Sequence, residues 1–263
     1  MDAGKNRMKL HCLGTAGYHP NESRHTSCYA IPESNLVLDA GSGFFRVGKL
    51  LSSDTLHVML THAHLDHVFG LTFVMDFLAT TSLKHIHVYA EAEKIAAIQQ
   101  HLFHPLLFPV VPPFHWHALE DLGTKFRLED TEVTWFPLEH PGGSVGYRLD
   151  WQSTSLAYVT DTTCSLNSSY WNVIQGVDWL IHECNFSDDY RELAIKTGHS
   201  WASEVLEAAY KHKIARLLLG HFNPLTDSSD PVGIDHATSR NLRKTPSQIM
   251  MATDSLTIDL ERL

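Results

Sequence analysis

The stretch Thr61-His62-Ala63-His64-Leu65-Asp66-His67 places three imidazoles and a carboxylate within six positions, directly after the mostly apolar run 56–60. In an extended segment, side chains at i and i+2 point the same way, so His62 and His64 can share one metal ion. Asp66 and His67 follow as the chain turns into a helix, within reach of a second metal beside the first. Neutral imidazole and carboxylate are the donors that zinc and similar borderline cations accept. A polar loop in a chain with 19 histidines is the competing reading. The pattern H-x-H-x-D-H after a buried strand outweighs it.

Length and composition set the frame. A chain of 263 residues, 43% of them hydrophobic, can bury a substantial core, and one domain over 1–263 is the expectation. No apolar run approaches the roughly 18 residues that span a bilayer. The segment Met1-Asp2-Ala3-Gly4-Lys5-Asn6-Arg7 lacks the apolar centre of a secretion signal, so a cytoplasmic location with no membrane partner is expected. Cys12, Cys28, Cys164 and Cys184 form no C-x-x-C pair and read as buried free thiols. The formal charge of −10 disfavours a broad nucleic-acid surface, which needs cations to neutralise phosphates. A local patch at Arg240, Arg243 and Lys244 reads as a solvated helix end.

Short apolar runs alternate with helical patterns, which predicts an α/β fold. Strands are expected at 9–13, 27–31, 36–39, 56–60, 85–89, 132–136, 145–149, 155–159, 179–182 and 216–219, with two more around the turn Asp254-Ser255. Helices are expected at 44–51, 67–80, 92–101, 201–212 and 234–242. An internal echo joins two segments: 36–41 and 156–161 each end an apolar strand in an aspartate, followed by a turn. Between 101 and 117 lie Pro105, Pro109, Pro112 and Pro113 among large apolar residues. Four prolines forbid a continuous helix, so an irregular loop is expected, serving as a lid, a dimer contact or a cover for its own core.

Three further donors sit at element ends. His140 precedes Pro141-Gly142-Gly143, Asp161 ends a buried strand where an unpaired carboxylate is costly, and His221 follows the apolar run 217–219.

With these residues assembled, the chain resembles the metallo-β-lactamase superfamily, and within it the ribonuclease Z-like branch, over nearly its whole length. The resemblance rests on Gly14-Thr15-Ala16-Gly17, Asp39-Ala40-Gly41, the histidine motif, His140, Gly146-Tyr147-Arg148, Val159-Thr160-Asp161-Thr162, His182-Glu183-Cys184-Asn185-Phe186, Gly198-His199-Ser200 and Gly220-His221. It implies a four-layer αββα sandwich with a dinuclear site. By carry-over, His62, His64 and His140 bind one metal, Asp66, His67 and His221 bind the other, and Asp161 bridges. The family usually holds zinc, with manganese and iron as alternatives.

Two adjacent divalent cations lower the pKa of a shared water and polarise an anionic oxygen, which suits phosphodiester hydrolysis. Asp66 can orient that water or take its proton. His199 is the further clue: in the ribonuclease Z-like branch the matching histidine faces the scissile phosphate, with a glutamate matching Glu183 beside it. Ser200 reads as the N-cap of the helix that follows. Helix and metals disfavour imidazolium at His199 while Glu183 favours it; protonated, His199 could serve as general acid. His182 reads as structural.

One departure narrows the substrate. Bacterial ribonuclease Z carries its tRNA-gripping arm between the motifs matching His140 and Asp161, and here that interval holds only two strands and a turn. The expectation is therefore a phosphodiesterase acting on small-molecule or nucleotide diesters. A tRNA 3′-processing endonuclease is the alternative, followed by hydrolysis of a sulfate ester, lactone or thioester. A metal-stabilised binding module is disfavoured by the complete donor set plus His199. A diiron oxygen-reducing role is disfavoured because that branch carries a carboxylate where this chain has His64. A homodimer is expected from the family resemblance and the apolar loop.

Overall fold

A computed structural model of the chain describes residues 7–226, 229–234 and 246–261. Its strands are β1 (Lys9–Gly14), β2 (Cys28–Ile31), β3 (Leu36–Leu38), β4 (Thr55–Met59), β5 (His85–Ala90), β6 (Phe114–Ala118), β7 (Lys125–Leu128), β8 (Thr131–Leu138), β9 (Ser144–Asp150), β10 (Ser155–Val159), β11 (Trp179–Glu183), β12 (Arg216–Gly220), β13 (Gln248–Met251) and β14 (Thr257–Asp259). The chain divides into two compact units, one of residues 1–14, 25–123 and 254–263, the other of 15–24 and 124–253.

The first unit holds a seven-stranded sheet in the order β14-β1-β2-β3-β4-β5-β6. Pairing is antiparallel from β14 to β3 and parallel from β3 to β6. Alternate side chains of the parallel strands, among them Val37, Leu56, Val58, Ile86 and Val88, enter one core with Phe44, Val47, Leu71, Val74 and Phe77 from the helical segments. That is the period of two a buried strand face requires.

In the second unit the order is β13-β12-β11-β10-β9-β8-β7. Here too three antiparallel pairings, β7 to β10, are followed by three parallel ones, β10 to β13. Ala157, Val159, Leu180, Leu217 and Leu219 meet Val205, Leu206 and Ala209 of the helix Ala202–Lys211. Spacings of three and four put those helical residues on one stripe. The internal echo thus has a topological counterpart: β3 and β10 hold the same place in their sheets, and Asp39 and Asp161 follow them.

The ten interior strands and the two near Asp254-Ser255 form where the sequence predicts them. The last two join different sheets, β13 beside β12 and β14 beside β1. Three helices depart from expectation. The segment 67–80 is an α-turn at Leu65–Val68, a 3₁₀ stretch at Phe69–Phe73 and an α-helix at Val74–Thr80. Gly70 causes the break, since its amide donates to the Ala40 carbonyl (2.7 Å). The segment 44–51 is a 3₁₀ helix over Ser42–Lys49, and 92–101 is an α-helix over Ala92–Ala97 continued by a π-turn at Ile98–Leu102. The helix expected at 234–242 lies, beyond its first residue, outside the described residues, as do Arg240, Arg243 and Lys244.

The loop expected at 101–117 ends earlier, because after Pro113 the chain enters β6, parallel to β5. Within it Leu102, Phe103 and Phe108 pack against the first unit's core, whereas Leu106, Leu107, Val110 and Val111 are exposed. All four cysteines are buried and free. Burial raises each thiol, Cys12 to about 12, so each keeps its proton at neutral pH. Among the described residues no helix is long and apolar enough to cross a membrane.

Candidate functional site

Parallel strands deliver their C-terminal ends side by side, and every predicted metal donor except His140, which follows the antiparallel β8, lies on a loop at such an end of its own unit. In the first unit Asp39 follows β3 and the histidine motif follows β4. Asp39 is fully buried, in the left-handed region at φ 58°. Its Oδ1 accepts the Thr61 amide (2.8 Å) and its Oδ2 faces His67 Nδ1 (2.8 Å). The Thr61 hydroxyl donates to Asp39 (3.0 Å) and lies 3.0 Å from His62 Nδ1. One carboxylate thereby sets two rings, directly at His67 and through Thr61 at His62. With Nδ1 held as the protonated nitrogen, Nε2 is the lone pair left for a metal.

The rings of His62 and His64 lie 4.4 Å apart and those of His62 and His67 4.3 Å. His67 Nε2 is 3.3 Å from Asp66 Oδ2. Two donors about 2.0–2.2 Å from one cation stand about 2.9–3.6 Å apart, so this spacing suits a shared ion.

In the second unit the same test is met twice. Asp161, at φ 50° after β10, directs Oδ1 to His140 Nε2 (3.5 Å) and Oδ2 to His221 Nε2 (3.2 Å). Each oxygen of one carboxylate thus meets a different imidazole, the disposition a bridging ligand needs. His140 donates Nδ1–H to the Gly198 carbonyl (2.9 Å). Burial lowers the His140 pKa against the pull of Asp161, which keeps the ring neutral as a ligand must be. His221 sits at φ 53° after β12, with Asn185 donating to its carbonyl (3.0 Å). A Cβ on Gly17 would stand 2.3 Å from the His221 ring, so the Gly-Thr-Ala-Gly segment provides the floor on which that ring lies.

His199 and Glu183 form a separate pair. Glu183 is fully buried and accepts the Thr162 amide (2.7 Å), the Ser200 amide (3.1 Å) and His199 Nδ1–H (3.1 Å). Burial alone would raise its pKa, but the charge and hydrogen bond of His199 outweigh that, and the carboxyl lies below its ordinary value. Asp161, His199 and His221 each offer a ligand atom within 4.8 Å of the others. His199 Nδ1 is 4.0 Å from Asp161 Oδ1, longer than a shared-cation spacing, and is held by Glu183. It is a neighbour of the donors rather than one of them.

Two expectations about neighbours resolve differently. His182 is buried, bonded to the Tyr170 hydroxyl (2.9 Å) and stacked on Trp171, a structural role as expected. Ser200 is not the N-cap. The helix starts at Ala202 after Trp201, and Asp188 caps it from a distance by accepting the Ser203 amide (2.9 Å). Ser200 instead ties a loop, donating to the Thr162 carbonyl (2.7 Å) and accepting the Cys164 amide (2.9 Å). Asp39 and Asn185 emerge as orienting residues that the sequence marks only as parts of motifs. The interval between His140 and Asp161 is filled by the hairpin of β9 and β10, with no inserted arm.

Comparison with known proteins places this arrangement in a family. The profile described as a Beta-lactamase superfamily domain matches residues 34–222. A ribonuclease Z of Porphyromonas gingivalis is 25% identical, over 82% of this chain and 89% of that protein. Among solved structures, the metallo-beta-lactamase fold protein YhfI from Bacillus subtilis superposes with a TM-score of 0.78 at 19% identity, covering 96% of this chain and all of that one. A diphosphatase from the PhnP family superposes with a TM-score of 0.69 at 19% identity, covering 96% of each chain. The fold is therefore the metallo-β-lactamase fold, and the chain belongs to the beta-lactamase superfamily as a metal-dependent hydrolase.

Proposed function

We propose that the chain is a dinuclear phosphodiesterase acting on small-molecule or nucleotide phosphodiesters. His62, His64 and His140 would hold one divalent cation and Asp66, His67 and His221 the second, with Asp161 a ligand to both. Zinc fits the imidazole-rich donor set, with manganese or iron as substitutes. Support comes from the donor spacings within each unit and from the family pattern. When bound, such a pair of cations supplies Lewis acidity and an activated water.

The chain's own residues supply the rest. Asp66 orients the attacking water and accepts its proton. His199, held through Nδ1 by Glu183, presents Nε2 to the substrate and gives a proton to the leaving oxygen. Glu183 positions that ring and favours its charged form. The observation that carries the phosphodiester reading is this buried glutamate–histidine pair beside Asp161. A structural metal needs no such acid, whereas a departing alkoxide does.

A second reading, tRNA 3′ processing, is favoured by the name of the Porphyromonas gingivalis relative. Against it stand the missing arm and the charge of −10. A panel of linear diesters, cyclic nucleotides, precursor tRNA and lactones, assayed with added zinc or manganese, separates the readings. Cleavage of small diesters in preference to precursor tRNA and lactones is expected. Precursor tRNA as the best substrate would favour the second reading, and activity on lactones alone would overturn both.

A further inference from the structure

Beside the His199–Glu183 pair the second unit opens a cavity of about 210 Å³. Clefts of roughly 300–1,000 Å³ take a drug-sized ligand, so this one takes a group of one or two rings. Phe186 and Tyr190 form one wall, their rings 6.3 Å apart, and Leu193 and Leu225 also line it. Tyr190, Leu193 and Leu225 are 58%, 43% and 84% exposed, large apolar faces held at the surface instead of in the core. Asn185 and Asn223 add amide groups to the lining. Asn223 uses its Oδ1 on the Leu225 amide (3.0 Å), so Nδ2 is the donor it presents.

Two residues of its lining touch residues of the candidate site. Asn185 bonds to His221, and the Phe186 ring lies 6.3 Å from that of His199. A phosphate at His199 would therefore have the cavity beside it. Past the cavity the surface turns acidic: Asp188, Asp189 and Asp230 line the adjoining cleft, which shares Ser187 and Pro231 with it. A polynucleotide continuing in that direction would bring its phosphates onto three carboxylates.

Resting on the phosphodiesterase reading above, we propose that this cavity is a nucleobase subsite and that the preferred substrate is a diester of a single nucleotide. Tyr190 and Phe186 stack the base, Asn223 reads its polar edge, and the carboxylates beyond exclude longer chains. Base–aromatic stacking of the usual strength corresponds to about a tenfold preference or more.

Two diesters with the same leaving group test it: thymidine 5′-(p-nitrophenyl phosphate) and methyl p-nitrophenyl phosphate. For the zinc-loaded protein, kcat/KM is expected to be at least about tenfold higher for the thymidine ester, through KM. Tyr190→Ala should bring the ratio towards one, while Tyr190→Phe keeps it. Calorimetric binding of thymidine 5′-phosphate against methyl phosphate gives a readout independent of turnover. Equal kcat/KM for the two esters would overturn the subsite and leave the hydrolase reading standing. If neither ester is cleaved but thymidine 5′-phosphate binds tighter and Tyr190→Ala removes the difference, the subsite stands and the phosphodiesterase reading falls. A short RNA that competes better than thymidine 5′-phosphate would overturn the single-nucleotide preference.

Discussion

Asp39 touches no substrate, yet two of the histidines proposed to bind metal take their orientation from it. Its carboxylate meets His67 Nδ1 and, through Thr61, reaches His62. Residues placed behind ligands in this way change metal affinity about 10–100-fold when altered. Asp39→Asn is expected to weaken metal binding by that amount in a chelator competition, with the fold retained. Unchanged affinity would remove Asp39 from the account. His199→Ala should behave in the opposite sense, keeping both metals and losing about 10²–10⁴-fold in diester turnover. Full activity in that variant would sink the general-acid assignment. At this scale the proposed donors stand out in the sequence, because imidazole and carboxylate at strand ends announce their chemistry. Asp39, Asn185 and the role of Ser200 do not, because each depends on a partner brought near only by folding.

Elements were legible where burial is strong and hidden where it is weak. Interior strands such as β2, β3, β10 and β11 read as apolar runs because both their faces are covered, while β8 reads by alternation. The two strands absent from the sequence reading, β6 and β7, each close one edge of a sheet with a half-exposed pattern, whereas β13 and β14 at the opposite edges were legible because they flank the polar turn Asp254-Ser255. A side chain left half in water carries no apolar signature. The histidines of β4, β5 and β6 show the same effect. His57, His87 and His117 lie on one face, with His87 Nδ1 2.9 Å from His117 Nε2 and His57 Nδ1 3.1 Å from the Tyr89 hydroxyl. Burial, with the neighbouring histidines, lowers His57 to about 4. The unfolded chain, with an ordinary histidine pKa of about 6.5, takes that proton first. His57 therefore costs nothing above about pH 6.5, and stability is lost as pH falls from there towards 4. Urea denaturation at pH 7.5 and pH 5 should show the loss, and His57→Gln should reduce it. An equal loss in the variant would show that the acid sensitivity lies elsewhere.

For the molecule as a whole, two sheets with the same order of pairings carry their chemistry at equivalent strand ends, β3 and β10 each running into an aspartate with positive φ. Residues held in that region cost about 1–3 kcal/mol each and persist where their surroundings impose them. Asp39, Asp161 and His221 all occupy it, which ties the candidate site to the ends of parallel strands rather than to free loops. The family and the reaction class follow from this arrangement; the substrate depends on what lies around it, the absent arm, the acidic charge and the cavity at Tyr190. The proposed dinuclear centre needs seven side chains holding two metals, with Asp161 a ligand to both. Metal content per chain, measured by mass spectrometry on zinc-saturated, desalted protein, tests it most directly. Two zinc ions per wild-type chain and a loss of at least one in Asp161→Ala are predicted; a single zinc in the wild type, or two retained in Asp161→Ala, would contradict it.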